Sequence, residues 1–135
     1  MFDAMHTLWN LGVPWNATET EKLARIDFTQ CLEMATINGA RALGLAGRVG
    51  SLTAGKQADI VLLRTTDLNM TPLGEVRTAL VRSATPANVD SVIVDGRFLK
   101  RGGRLLHVDV AQVVADANAS LDAIRRRAGG VWAPV

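Results

Sequence analysis

The sequence predicts an α+β fold, and three features carry that expectation. Apolar residues recur at helical spacing near both ends of the chain, in Phe2, Met5 and Trp9 and again from Val110 to Ile124. An apolar run, Ile60-Val61-Leu62-Leu63, has the composition of a strand. Asp95-Gly96 stands between two short strand-like runs, the strongest local signal for a hairpin. The stretch from Ala35 to Val61 joins the halves: a helix with a small-residue face, a glycine-punctuated turn, then the strand.

Taken in order, Phe2, Met5 and Trp9 share one face of a first helix, which Gly12 and Pro14 should end. Residues 15–26 are polar and mixed, with a short helical turn expected over Thr18–Arg25. Asp27 and Gln30 have the spacing of a capping box, and Phe28, Leu32 and Ala35 give the next helix its apolar stripe. Gly39 inside that pattern should cost about 1 kcal/mol relative to alanine. A break into two helices, or a close backbone contact at Ala35, Gly39 and Ala40, would account for it. Gly44 and Gly47 are placed to take positive φ where the helix ends.

Strands are expected near 58–63, 91–94, 97–101 and 104–107, the first of them covered on both faces. Residues 64–78 read as a long surface loop, followed by a short helix through Val76, Leu80 and Val81 that ends before Pro86. Asp95-Gly96 should form a type I′ turn and Gly102-Gly103 a second reversal. Asp109 is a good N-cap for a last helix whose apolar face is Val110, Val113, Val114, Ala117, Leu121 and Ile124. Arg125–Arg127 complement the dipole in its final turn, Gly129 terminates it, and Val131-Trp132 would dock on a neighbour or fray.

Composition narrows the function. With 48% hydrophobic and 21% charged residues the chain is globular rather than disordered. The net charge of +2 is small, and no aromatics interleave with the scattered basic residues, which argues against nucleic-acid binding. Cys31 is the only cysteine and reads as a buried small hydrophobe in a reducing compartment. No apolar run approaches a membrane span and no signal peptide is evident, so a cytoplasmic protein is expected, and the sequons at Asn16 and Asn118 carry no weight. Gly44, Gly47 and Gly50 lack the flanking strand and helix of a phosphate loop, and Lys56 is followed by Gln57 rather than Ser or Thr.

Ala35-Thr36, Asn38-Gly39-Ala40-Arg41, Leu43-Gly44, Gly50-Ser51-Leu52, Gly55-Lys56 and Ala58-Asp59-Ile60-Val61 together resemble the C-terminal signature of the amidohydrolase superfamily. The similarity is to the cytosine deaminase, chlorohydrolase and related aminohydrolase group. It continues through Pro72, Asn88–Arg97 and Gly103–Leu106, and Met1–Met5 resembles the start of the helix after the last barrel strand. The resemblance implies the C-terminal helices of a TIM-type metal-dependent hydrolase barrel in residues 1–45. Residues 46–107 would be a partial β-sandwich domain carrying the 64–78 loop, and residues 108–135 a C-terminal helix and tail. It also implies a parent that hydrolyses non-peptide C–N bonds of small or heterocyclic molecules with a divalent zinc or iron.

Such a metal needs about three protein ligands and an open position. The chain has two histidines, His6 and His107, and neither belongs to a His-X-His pair. His6 reads as a helix-boundary residue, and His107 as the end of a strand. Asp3 reads as a first-turn acid, and Asp59 as a residue that holds local backbone N–H groups or pairs with Lys56. No Gly-X-Ser-X-Gly elbow occurs and no histidine accompanies Cys31. No catalytic, cofactor-binding or metal residue is therefore assigned, no cofactor is expected in this chain, and the chain as it stands is not expected to catalyse. Two readings stay open: a fragment of a hydrolase active only with its missing N-terminal barrel portion, and a stand-alone accessory module that kept the fold without the chemistry. In either case an uncovered strand edge, or the barrel-facing side of residues 2–43, is expected to make the chain a homo-oligomer.

Overall fold

The computed structural model describes residues 1–12 and 26–129. The short helix expected over Thr18–Arg25 and the docking of Val131-Trp132 lie outside the described residues. The chain forms two compact units, Met1–Arg104 and Leu105–Val135. Helix α1 spans Phe2–Gly12, α2 Phe28–Met34 and α3 Ile37–Ala42; strand β1 is Ile60–Leu63; helix α4 is Val76–Arg82. Strands β2, Val89–Val94, β3, Arg97–Arg101, and β4, Arg104–Leu105, follow, and α5 spans Val110–Arg127. The mixture of helix and strand is the one the sequence predicts.

In the first unit the core lies where α1, α2 and α4 meet. Phe2 and Met5 of α1, Cys31 of α2, Val81 of α4 and Val89 of β2 are buried together. Trp9 stacks on Phe28 with ring centroids 5.4 Å apart, and the Arg82 guanidinium lies 4.7 Å above the Trp9 ring, tying α4 over the contact between α1 and α2. Helix α2 starts on the predicted capping box: Gln30 N donates to Asp27 Oδ1 at 2.7 Å and Asp27 N donates to Gln30 Oε1 at 2.9 Å.

The helical pattern does break, between Met34 and Ile37, where Thr36 leaves helical geometry at φ −132° and ψ −98°. The close backbone contact expected around Gly39 is elsewhere. A Cβ on Gly39 would meet only Met34 O at 3.5 Å, whereas one on Gly50 would fall 2.7 Å from Ala40 Cβ and 3.0 Å from Ile37 Cα. Gly50 also holds φ +87° and Gly44 φ +69°, while Gly47 is not among the positive-φ residues expected. The turn after α3 thus folds back onto α3, and Gly50 is the point of closest approach.

The four strands run in the order β1-β2-β3-β4, with β1 antiparallel to β2 and β2 antiparallel to β3. Asp95 and Gly96 both have positive φ, +50° and +76°, as the predicted I′ turn requires. The turn is held from β1's side: Asp95 N donates to Asp59 Oδ1 at 2.8 Å, Gln57 Nε2 to Asp95 Oδ1 at 3.2 Å, and Gly96 N to Ala58 O at 3.1 Å. At the other end of β1 a bulge lets Leu62 face Ser91 and Leu63 face Val89, and Arg64 N donates to Asn88 O at 2.8 Å.

Strand β1 is not covered on both faces as expected. It begins two residues later than predicted and stands at the edge of the sheet, with Val61 45% and Leu62 48% exposed. An apolar run reports a need for cover, not what supplies it. Strand β4 stops at Leu105, short of the predicted 107, because His107 adopts φ +63° and cannot continue a strand.

The long loop expected over residues 64–78 is shorter and more ordered. A 3₁₀ turn at Leu68–Met70 drops Met70 into the core, and α4 takes over at Val76. What orders it is Asn88, 1% exposed at the end of a second 3₁₀ turn, Pro86–Asn88. Its Oδ1 accepts from Thr85 N at 2.8 Å and Asn69 Nδ2 at 2.9 Å, and its Nδ2 donates to Asp67 Oδ2 at 2.8 Å. Arg64 then pairs with Asp67 at 3.3 Å.

In the second unit α5 starts on Asp109, whose Oδ1 accepts from Gln112 N at 3.1 Å, and stops before Gly129 at φ +59°. Both ends fall where the sequence places them. No described helix is long and apolar enough to cross a membrane.

Candidate functional site

The residues singled out for chemistry do not converge. His6 is exposed on α1, and Asp3 is exposed in that helix's first turn. His107 is exposed in the second unit. Cys31 is wholly buried in the core, where desolvation, with the Asp27 carboxylate adding, pushes its thiol above the usual range and keeps it an unreactive packing residue. Asp59 does hold a backbone N–H, but the distant one of Asp95 rather than a local one, and Lys56 does not pair with it. Lys56 Nζ donates instead to the carbonyls of Ala46 and Val49, pinning the turn after α3.

Among the described residues no three of His, Cys, Asp or Glu lie close enough together to hold a metal ion. His6 and His107 belong to different units and neither joins such a cluster, so the described donor set does not fit a hydrolytic metal centre. No step of a metal-assisted reaction is therefore assigned to side chains of this chain.

What the first unit does present is an apolar groove of about 710 Å³ between α1–α3, the turn after α3, and the β1–β2 strands. Its walls include Phe2, Leu32, Leu43, Val49, Leu52 and Val61. Leu52 is 81% and Leu43 75% exposed, a heavy apolar exposure for a glycine-rich turn. The polar lining groups are few. Thr36 Oγ1 is spent on Leu32 O at 2.6 Å, and Ser51 Oγ on Thr53 Oγ1 at 2.9 Å. The remaining one, Asp59, is the residue that binds the hairpin tip. Such a surface can bury apolar partner atoms but offers no base poised beside a nucleophile.

Sequence reasoning named an uncovered strand edge or the barrel-facing side of residues 2–43 but missed the contribution of residues 45–52. The available signal was Leu43, Leu45, Val49 and Leu52, four apolar residues inside a glycine-rich turn that would ordinarily be polar. The Asn88 network was also missed; its trace in the sequence is Thr85-Pro86-Ala87-Asn88, a capping box with proline at its first position.

Comparison with known proteins locates this architecture. Residues 10–99 match the amidohydrolase family. The chain is 49% identical over 86 residues to a 5-methylthioadenosine/S-adenosylhomocysteine deaminase of Desulforudis audaxviator, an alignment covering 64% of this chain and 20% of that protein. Among solved structures, an adenosine deaminase from Xanthomonas campestris with bound zinc superposes with a TM-score of 0.74 at 36% identity, covering 77% of this chain and 24% of that one. A zinc-complexed atrazine chlorohydrolase from Arthrobacter aurescens superposes with a TM-score of 0.71 over 85% of this chain and 25% of its own, and at 23% identity it speaks to the fold alone. The chain thus spans about a fifth to a quarter of the length of the relatives it matches.

Proposed function

Because the chain belongs to the amidohydrolase family, we propose that it is the C-terminal portion of a metal-dependent deaminase that releases ammonia from the purine of an adenosine-like nucleoside, and that it does not catalyse alone. The single observation that carries this reading is the apolar groove of about 710 Å³ left open between the helices and the β1 edge, in a chain whose described residues gather no cluster of metal-binding side chains.

In this reading α1 to α3 are the last helices of a TIM-type barrel, within residues 1–45, and the groove is the face they turn to the rest of that barrel. Residues 46–107 are part of a small β domain whose open β1 edge takes further strands, and residues 108–135 form the C-terminal helix and tail. The zinc or iron and its ligands belong to the remainder of the enzyme, which works in the cytoplasm. The identity to a deaminase of 5-methylthioadenosine and S-adenosylhomocysteine supports the substrate class, an adenine base carrying a 5′-substituted ribose.

The test is reconstitution. The barrel portion of the Desulforudis audaxviator relative, ending where the match begins, is co-expressed with this chain, and ammonia release from 5-methylthioadenosine is followed with zinc supplied. Either piece alone should be inactive and the pair active. Turnover by this chain alone, or no association between the two pieces, would overturn the reading.

A further inference from the structure

Helix α5 carries an apolar stripe that nothing within its own unit covers. Over 18 residues it has no buried position, and Val110, Val113 and Val114 are each more than half exposed, with Ile124 at 60%. Those residues, with Ala117 and Leu121, fall at i, i+3, i+4, i+7, i+11 and i+14, one continuous face along a helix about 27 Å long.

The charges beside that face are arranged by sign along the axis. Asp109 and Asp116 flank its first half and Arg125 and Arg127 its last turn, with Arg126 on the opposite side of the helix. Asp122, the one acid in the second half, is paired with Arg125 of its own helix at 3.5 Å. Asp109 and Arg127 are also five helical turns apart, at about 3.6 residues per turn, and so lie on the same side of the stripe.

We infer that the occupant of this stripe is the α5 of a second copy, packed antiparallel about Ala117. That alignment sets Val110 against Ile124 and Val113 against Leu121, and places a residue with a small side chain where the axes come closest. It lays the arginine turn of each helix beside Asp109 of the other, and it opposes the two helix dipoles favourably. A parallel pair would stack the two arginine turns on one another, a like-charge contact that antiparallel packing avoids. The stripe is self-complementary in one orientation only, which is the property a two-fold interface needs. The stripe shares no residue with the groove or with β1, so the inference does not depend on the function proposed for them.

Sedimentation equilibrium of the 135-residue chain tests it. The chain should show a monomer–dimer equilibrium that weakens as salt rises, and Ile124→Asp should raise its Kd by roughly 30-fold or more with the helical circular dichroism retained. Orientation is read by mixing Val110→Cys chains with Ile124→Cys chains under mild oxidation, the native Cys31 being buried and a bystander. The mixed disulfide should form in preference to either symmetric one. A monomer at all concentrations, a symmetric Val110→Cys disulfide, or a dimer that survives Ile124→Asp but is lost in Leu62→Lys on β1 would each overturn the inference.

Discussion

Replacing Gly50 with alanine tests the packing of the turn against α3 more sharply than any other single change. Two costs are involved. A side chain at φ +87° is strained by about 1–2 kcal/mol. The new Cβ would also sit 2.7 Å from Ala40 Cβ and 3.0 Å from Ile37 Cα, where carbon atoms rest comfortably only at about 3.5–4.0 Å. Relieving that overlap by shifting α3 costs a further ~1–3 kcal/mol. The sum, about 3 kcal/mol, is a large share of the roughly 5–15 kcal/mol that holds a domain together.

Gly55 supplies the control, with φ +90° and no atom within 4 Å of the point a Cβ would occupy, so Gly55→Ala carries only the strain. At roughly 4 °C per kcal/mol for a chain of this length, thermal unfolding followed by circular dichroism should give losses of about 12 °C for Gly50→Ala and about 6 °C for Gly55→Ala. Equal losses in the two variants would show that the turn does not press on α3.

Asn88→Ala would strand the Thr85 N–H at a site that is 1% exposed and take one bond from the Asp67 carboxylate, which keeps Arg64, and urea unfolding should show a loss of about 2–3 kcal/mol. Asp27→Ala removes the α2 capping box, with an expected loss of about 1 kcal/mol in the same assay. Glu75 caps α4, and the Arg77 guanidinium at 2.7 Å, with the Thr78 N–H adding, holds its carboxyl down to about 2. Because the folded value lies below the ordinary 4.5, its contribution is present above pH 4.5 and is lost as pH falls towards 2. Glu75→Gln should therefore flatten the stability profile across that acid window and leave its shape near neutrality unchanged.

The parts of the fold that could be read in advance are those decided within a few residues. The Asp27–Gln30 box, the Asp109 cap, the Asp95-Gly96 hairpin and the stop at Gly129 all rest on local hydrogen bonding or backbone preference. Apart from the local backbone choices at Gly47 and His107, the misreadings are questions about distant neighbours. An alternating or continuous apolar run marks β1 as a strand but is silent on whether a second layer reaches it, and Gly39 and Gly50 look alike until α3 is placed. Asn88 shows in the sequence only its local box with Thr85, since its partners at 67 and 69 come from across a turn. The resemblance carried by Ala35–Val61 named the family that residues 10–99 match.

The clamp that Asp59, Gln57 and Ala58 place on the hairpin tip, and the Arg64 bond to Asn88, fasten β1 to β2 at both extremities while its outer side stays bare. Backbone amides along Ile60–Leu63 should consequently exchange with deuterated solvent in a two-beat rhythm, slow where they point into the ladder and fast where they point away. Docking of any strand on the bare side would silence the fast beat, so the rhythm itself reports whether β1 has found company.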